Sequence, residues 1–413
     1  MYLSSLKVQH YKSLDTVAVD FAPDVTVIVG PNGVGKSNFV DVLRFLHDAV
    51  TNDLEHAVTK REGIRRLLQS FQSYKTKPHK IGVELDWASN VSDTVADIAN
   101  YGVQLKSIGT SSYAIESEKL TSAIGTLESG HLTSHTSVTR NDHGIVFVDH
   151  NPPSRPRDAL LDTILTVCPP ESLAVGSKLL GGISGDAMAV VVEQIAAWNF
   201  CTIYPNTLKK PALPDRDSKL MESGDNWASV IKALKRSPKK GREALERIYD
   251  AMRAVLPTFE EVSIQTVGSY LVPLFKFRVE GENTLASFDP VQLSDGTLRL
   301  FGILLAAYQL PRPKLLVIEE PEQTIYPGAL SVLADVFKEI GRSTQVLITT
   351  HSPHLVQCFD PTQIRVATML NGVTQIRPIH PHQMEAVNEG LLSLEEFMTT
   401  EGLRPDDTER ASP

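Results

Sequence analysis

Cysteine is scarce: Cys168, Cys201 and Cys358 are the only three in 413 residues, and none belongs to a CxxC pair. Their wide spacing excludes a disulfide framework and a thiolate zinc site, leaving buried, reduced thiols as the expectation. Long apolar runs are missing as well. No uninterrupted stretch approaches the roughly 20 residues that a membrane-spanning helix needs, and the opening MYLSSLKVQHYKS has no signal-peptide core. A cytoplasmic location without a membrane partner is therefore expected. Nor is there an excess of positive charge: 40 basic residues face 49 acidic ones, a formal net charge of −9. The molecule as a whole offers no general attraction to polyanions, so any contact with DNA or another nucleic acid must be local. One candidate patch gathers Lys60, Arg61, Arg65, Arg66, Lys75, Lys77 and Lys80; a second gathers Lys232, Lys235, Arg236, Lys239, Lys240 and Arg242. For either, a solvated helix face is the ordinary alternative.

What is present is an ordinary globular composition, 42% hydrophobic, long enough for two or three packed lobes. The first segment carries the apolar, β-branched runs LSSLKVQHYKS, VAVDFA and VTVIVG, as strands do, and ends in a glycine-rich turn. From Lys36 to Val50, Phe39, Val42, Leu43, Leu46 and Val50 recur at helical spacing, which predicts strand, loop and helix in succession. Residues 81–149 hold IGVELDW, YGVQLKS, SYAIESE and GIVFVD between polar breaks, an antiparallel meander. Residues 157–256 show helical patterns broken by Pro169, Pro170, Pro205, Pro211, Pro214 and Pro238, which excludes a long coiled coil and predicts a compact helical lobe. After Val262 the strand YLVPLFKFRV is followed by a helix from Ser294, the strand KLLVIEE, a helix from Gly328 and the strand QVLITTH. That alternation predicts a parallel sheet covered by helices. The last residues, RPDDTERASP, are polar and expected to fray.

Chemistry concentrates in four places. Gly30-Pro31-Asn32-Gly33-Val34-Gly35-Lys36-Ser37 fits G-x-x-x-x-G-K-S between a predicted strand and a predicted helix. Glycines there let backbone N–H groups turn toward a triphosphate, the helix start adds positive potential, Lys36 reaches the outer phosphates and Ser37 can ligate magnesium. The apolar strand Leu315-Leu316-Val317-Ile318 ends in Glu319-Glu320, where one carboxylate can hold the metal shell while the next polarises a water. The strand Val346-Leu347-Ile348-Thr349-Thr350-His351 places a histidine at an equivalent tip, suited to hydrogen-bond the γ-phosphate or orient the water. In Leu293-Ser294-Asp295-Gly296-Thr297, Ser294 can cap a helix with glycine in its first turn. On physics alone that is an ordinary N-cap; it would also suit the γ-phosphate of another chain's ATP.

Taken in order, GPNGVGKSN, LSDGT, LLVIEEPE and LITTHSP resemble the Walker A, signature, Walker B and switch-histidine motifs of ATP-binding-cassette (ABC) ATPases. Tyr11-Lys12-Ser13-Leu14, Asn38 and Gly224-Asp225-Asn226-Trp227-Ala228 make the chain similar to the RecF/SMC/OLD branch of the AAA-type families. The resemblance implies an α/β fold: a P-loop ABC-type ATPase head with a mostly parallel sheet flanked by helices, an antiparallel β subdomain and an inserted helical lobe. It divides the chain into an N-terminal ATPase lobe with Walker A and the meander (1–150), a helical lobe (151–260), a C-terminal ATPase lobe with signature, Walker B and switch histidine (261–400), and a flexible tail (401–413). It implies ATP and Mg2+ as cofactors: the Gly30–Asn38 loop binds nucleotide, Ser37 and Glu319 hold the metal, Glu320 is the catalytic base and His351 the switch histidine, while Ser294 and Gly296 act in trans. A homodimer, or a higher assembly of dimers, would then sandwich ATP. Two departures stand out. Glu319 takes a place that cassette ATPases usually give to aspartate, and Tyr326-Pro327 stands where related chains often carry His-Pro.

Three functions fit the residues. The first is an ATPase engine of DNA maintenance or anti-phage defence, whose ATP state controls nucleic-acid binding or a separate effector such as a nuclease. The stretch after His351 is too short for the Toprim nuclease of OLD-like relatives, hence the separate partner. The second is an ATP-gated scaffold or sensor with little hydrolysis, to which Glu319 points. The third, a transporter's nucleotide-binding subunit, is disfavoured by the long interval between Ser37 and Ser294.

Overall fold

The computed structural model describes residues 1–68, 78–91, 94–108, 112–124, 134–140, 143, 145–151, 164–167, 173, 186–215, 219–279, 281 and 283–407. The chain folds as two compact units and passes between them several times. One comprises Met1–Pro23, Gly30–Trp198 and Arg365–Arg377; the other comprises Asp24–Val29, Asn199–Ile364 and Pro378–Pro413.

The first unit is built on an eight-stranded antiparallel sheet. Its order is Leu14–Asp20, Tyr2–Tyr11, Lys80–Val91, Thr94–Ile108, Ser112–Ile124, Ser134–Arg140, Ile145–Asn151 and Ile164–Val167. Alternation sets the faces: Leu6 and Val8 are buried and pair with Val19 and Val17, while Lys7 between them is exposed. The expected meander is present, with Ser134–Arg140 and Ile164–Val167 as further members. The first of these, SHTSVTR, is too polar to announce itself in sequence. Its pairing partners on both sides, rather than its own hydrophobicity, make it a strand. The helix Lys36–Thr51 buries Phe39, Val42, Leu43, Leu46 and Val50, the residues whose spacing predicts it.

In the second unit three parallel strands lie side by side: Leu315–Glu319, Gln345–Thr350 and Val25–Val29. Their residues are buried almost throughout, as expected for a parallel sheet covered on both faces. The helices Asp295–Tyr308 and Leu330–Gly341 follow the predicted starts at Ser294 and Gly328, the second after a short 3-10 turn over Pro327–Ala329. A smaller antiparallel sheet joins Phe259–Val267, Tyr270–Arg278 and Leu285–Phe288. Aromatic rings tie these parts together: Phe275 and Trp227 meet Phe301 edge-on at 5.0 and 5.7 Å. Trp227 belongs to the Gly224–Ala228 motif. Beside it, Asn226 accepts from Met221 N at 2.9 Å and donates to Lys219 O at 2.8 Å, clamping the preceding turn.

Between 151 and 260, the described residues contain the helices Asp186–Ala196, Pro205–Leu208, Trp227–Arg236 and Lys240–Val255 and the short strands Ile164–Val167 and Trp198–Cys201. Pro205 opens a helix and Pro238 separates the last two. Residues 152–163, 168–172 and 174–185, with Cys168, Pro169 and Pro170, lie outside the described residues, as do Lys75 and Lys77 of the first basic patch and residues 408–413 of the tail. Residues 404–406 are held by bonds to Pro378, Ile379 and His380. Burial pushes the Cys201 thiol up to about 12, and Cys358 is half-buried; both are free thiols. Among the described residues, no helix is long and apolar enough to cross a membrane.

Candidate nucleotide site

The glycine-rich loop belongs to the first unit. Gly33 and Gly35 have φ of +82° and +98°, a left-handed backbone that costs an L side chain about 1–2 kcal/mol. A Cβ on Gly35 would also collide with Thr374 Oγ1 and Ser13 Oγ, and one on Gly30 with the carbonyl oxygen of Ala367. Gly33 has nothing within 4 Å, so conformation alone demands its glycine. Pro31, Asn32 and Gly33 are exposed, Val34 is buried, and Lys36 is only 5% exposed. The Lys36 ammonium donates to Gly30 O at 2.6 Å and Pro31 O at 3.0 Å, which folds the side chain back over the loop. No side chain caps the helix that starts at Lys36, so its first-turn N–H groups retain the anion-binding potential of an uncapped helix end, with the exposed Ser37 among them. Such a cradle, with glycine where a Cβ would intrude, fits a polyphosphate.

Behind the loop stands a polar scaffold. Thr374 Oγ1 donates to Val34 O at 2.8 Å and lies 2.6 Å from Ser13 Oγ, which accepts from Asn38 Nδ2 at 2.7 Å. One turn further along the helix, Asp41 accepts from Tyr11 Oη at 2.7 Å, Lys12 Nζ at 2.5 Å and Arg61 Nε at 2.9 Å; Arg61 Nη1 also reaches Asp48 at 2.9 Å. Burial pulls the Asp41 carboxyl upward, but Arg61, Lys12 and the Tyr11 hydroxyl outweigh it and hold the group below the usual carboxylate range. Asn38, Tyr11, Lys12 and Ser13 thus position the loop and its helix. Arg61, with a side chain 6% exposed, is committed to this network and leaves the first basic patch, whereas Lys60 pairs with Asp48 but keeps a side chain 49% exposed. In the second patch Lys235 Nζ donates to Val262 O at 2.6 Å although the residue is exposed, as are Arg236, Lys239, Lys240 and Arg242.

The acidic edge belongs to the second unit. Glu319 stands opposite Thr349 and Thr350 opposite Val29, so three parallel strands end together. The next residue after Val29 is Gly30, the start of the loop. Past the strand end, Glu320 adopts φ +45°, unusual for a non-glycine residue, and is held there by bonds to both of its peptide groups. Its N–H donates to Thr349 O at 2.8 Å, and its carbonyl accepts from Arg299 Nη2 at 3.0 Å. Gln323 Nε2 donates to the Glu320 carboxylate. His351 Nδ1 lies 3.7 Å from Glu320 Oε1 and 3.3 Å from Glu322 Oε1. The structure therefore brings Glu319, Glu320 and His351 to one edge and adds Glu322.

Ser294 caps the helix Asp295–Tyr308 by accepting from Thr297 N at 3.1 Å. Gly296 has a packing reason of its own: a Cβ there would strike the Thr324 carbonyl, so the helix start abuts the turn after the strand Leu315–Glu319. From the same helix, Arg299, 5% exposed, donates to Ile203 O at 2.9 Å as well as to Glu320 O. Burial lowers its guanidinium pKa. Arg299, Glu322, Asp41 and Arg61 are absent from a reading based on motif positions. For Arg299 the available signal was charge inside apolar surroundings, between Leu298 and Leu300 in a helix hydrophobic from Leu298 onward; Glu322, within the polar run Glu319-Glu320-Pro321-Glu322-Gln323, had no such signal.

Residues 1–122 match a family model described as an AAA ATPase domain, and residues 206–357 match one described as "AAA domain, putative AbiEii toxin, Type IV TA system". Over 46 residues the chain is 44% identical to the DNA replication and repair protein RecF of Bifidobacterium longum subsp. infantis, covering 11% of each chain. Over another 46-residue alignment it is 46% identical to the chromosome partition protein Smc of Synechocystis sp., covering 11% of this chain and 4% of that one. The matches thus span about a tenth or less of these relatives' lengths. A solved structure, the SmcHead bound to the C-winged helix domain of ScpA, superposes with TM-score 0.51 at 13% identity, covering 91% of this chain and 97% of that one. That similarity shows the fold. The two family matches, the aligned RecF and Smc segments and the motif order together support an ABC-type ATPase of the RecF/SMC-like branch.

Proposed function

We propose that this chain binds ATP with Mg2+ and hydrolyses it, that two copies close around the nucleotide, and that the ATP state of the dimer controls nucleic-acid binding or a separate effector protein. The setting is DNA maintenance or anti-phage defence. One observation carries the reading: Glu319, Glu320 and His351 crowd the carboxyl edge of parallel strands, one of which runs directly into Gly30 and the glycine-rich loop. The RecF and Smc names of the relatives and the ScpA-bound head support the DNA-related setting and a separate protein partner. The exposed Lys239, Lys240 and Arg242 remain available for a local nucleic-acid contact.

In this reading Lys36 and the first-turn N–H groups bind the outer phosphates, with Gly30 to Asn38 shaping the cradle. Ser37 and Glu319 hold the metal, whose charge, when bound, offsets that of the phosphates. Glu320 accepts a proton from the attacking water, and its peptide, held at both ends, keeps the carboxylate where that transfer requires it. His351 orients the same water or meets the γ-phosphate. Ser294 and Gly296 present a capped helix start to the nucleotide of the facing copy, so hydrolysis is coupled to opening of the pair.

Steady-state phosphate release and sizing chromatography test this together. Wild type turns over ATP, and Glu320→Gln with ATP elutes as a stable dimer. A monomeric Glu320→Gln–ATP complex would sink the sandwich. Nucleotide binding without turnover by the wild type would favour the ATP-gated scaffold, the alternative that Glu319 in the aspartate position suggests.

A further inference from the structure

Glu322 has no part in the proposed chemistry, yet it is among the best-connected carboxylates of the second unit. Its side chain is 8% exposed. One oxygen, Oε1, accepts from Thr350 Oγ1 at 2.7 Å and from the backbone N–H of His351 at 3.0 Å, and faces His351 Nδ1 at 3.3 Å. The other, Oε2, is buried without a hydrogen-bond partner among the described residues. The His351 side chain is 43% exposed on its remaining side. A carboxylate oxygen that already collects two donors is an acceptor, and so is the second oxygen near Nδ1, Glu320 Oε1 at 3.7 Å. A ring nitrogen facing two acceptors carries the hydrogen, since a bare Nδ1 would turn a lone pair onto both carboxylates.

We infer that Glu322 is a positioning residue that locks the neutral His351 in the Nδ1–H tautomer and leaves Nε2 as the acceptor presented to the reaction. The inference rests on the reading of His351 as a group of the nucleotide site and sharpens it. A neutral ring with its hydrogen on Nδ1 holds the attacking water through one of that water's hydrogens. Donation from Nε2 to a phosphate would require a doubly protonated ring. The same carboxylate grips the His351 peptide and the Thr350 hydroxyl, so it fixes the strand tip as well as the ring. Free imidazole side chains favour the Nε2–H form, so the preference here is imposed by Glu322.

The test uses the full chain without nucleotide, 15N-labelled at histidine and held at about pH 8, above the ordinary histidine pKa. Long-range 1H–15N correlation distinguishes the two tautomers, and His351→Gln identifies the resonance. Wild-type His351 is expected in the Nδ1–H form, Glu322→Gln, which retains an acceptor oxygen, keeps most of it, and Glu322→Ala reverts to Nε2–H. Wild-type His351 in the Nε2–H form overturns the proposal even if no variant folds, and so does a Glu322→Ala protein that melts cooperatively with an unchanged tautomer. In the hydrolysis assay Glu322→Ala should lower kcat about tenfold with KM for ATP unchanged; an unchanged kcat would refute the link to catalysis. If the wild type hydrolyses nothing, the functional reading fails while the spectra still decide on Glu322.

Discussion

The glycine-rich loop and the acidic strand edge hold functional atoms by opposite means. In the loop the backbone does the holding. Gly33 and Gly35 adopt φ values closed to most side chains, Gly30 and Gly35 admit neighbours that a Cβ would displace, and an uncapped helix start supplies the N–H groups. At the edge the side chains do the holding. Glu320 departs from ordinary backbone geometry because Thr349 and Arg299 bind its peptide groups, and His351 is oriented by Glu322. A site built from backbone is legible in sequence as a motif, because few residue types allow it. A site held by side chains depends on partners that no local pattern announces.

The largest expected effect falls on the side-chain half. Glu320→Gln keeps the shape and removes the base, so kcat should fall by roughly 10²–10⁴ while ATP still binds; a variant with wild-type phosphate release would assign the base elsewhere. On the backbone half, Lys36→Ala should weaken ATP binding about 100-fold, or about 2.8 kcal/mol, read by calorimetric titration. Gly35→Ala adds both strain and collision and should cost roughly 2–4 kcal/mol in denaturant unfolding. Unchanged stability would mean that the loop backbone can relax.

The scaffold behind the loop gives a smaller, pH-dependent effect. Asp41 is held below the usual carboxylate range, so its ion pairs with Arg61 and Lys12 contribute stability that is complete above the free carboxyl pKa of about 4. That contribution is lost as pH falls through the lower folded value. Asp41→Asn should therefore cost roughly 1.5–3 kcal/mol at neutral pH, and the gap in melting temperature from wild type should narrow only below about pH 4. A gap that is flat across that window would refute the assignment. Gly33→Ala completes the series at about 1 kcal/mol, since only its φ is at stake. A cost equal to that of Gly35→Ala would show that the crowding around Gly35 is unimportant.

The periodicity of Phe39 to Val50 announces the Walker A helix, and the apolar runs ending at Glu319 and His351 announce parallel strands. Ser134–Arg140 escaped because a polar strand inside a sheet takes its conformation from its neighbours. Arg61 looked like part of a basic surface, and only the fold shows it turned inward to Asp41 and Asp48. Gly296 had a reading in trans from the motif alone; its contact with Thr324 supplies a packing requirement within the chain.

Sequence by itself determined the fold class and the candidate loop, because glycine spacing and hydrophobic period constrain the backbone locally; the likeness to a family branch came from motif resemblance. Tertiary structure alone decided which charged groups face one another: Asp41 with Arg61, Arg299 with the Glu320 peptide, Glu322 with His351. Coulomb and hydrogen-bond energies depend on distances of a few ångströms between residues remote in the chain, and no local pattern encodes those distances.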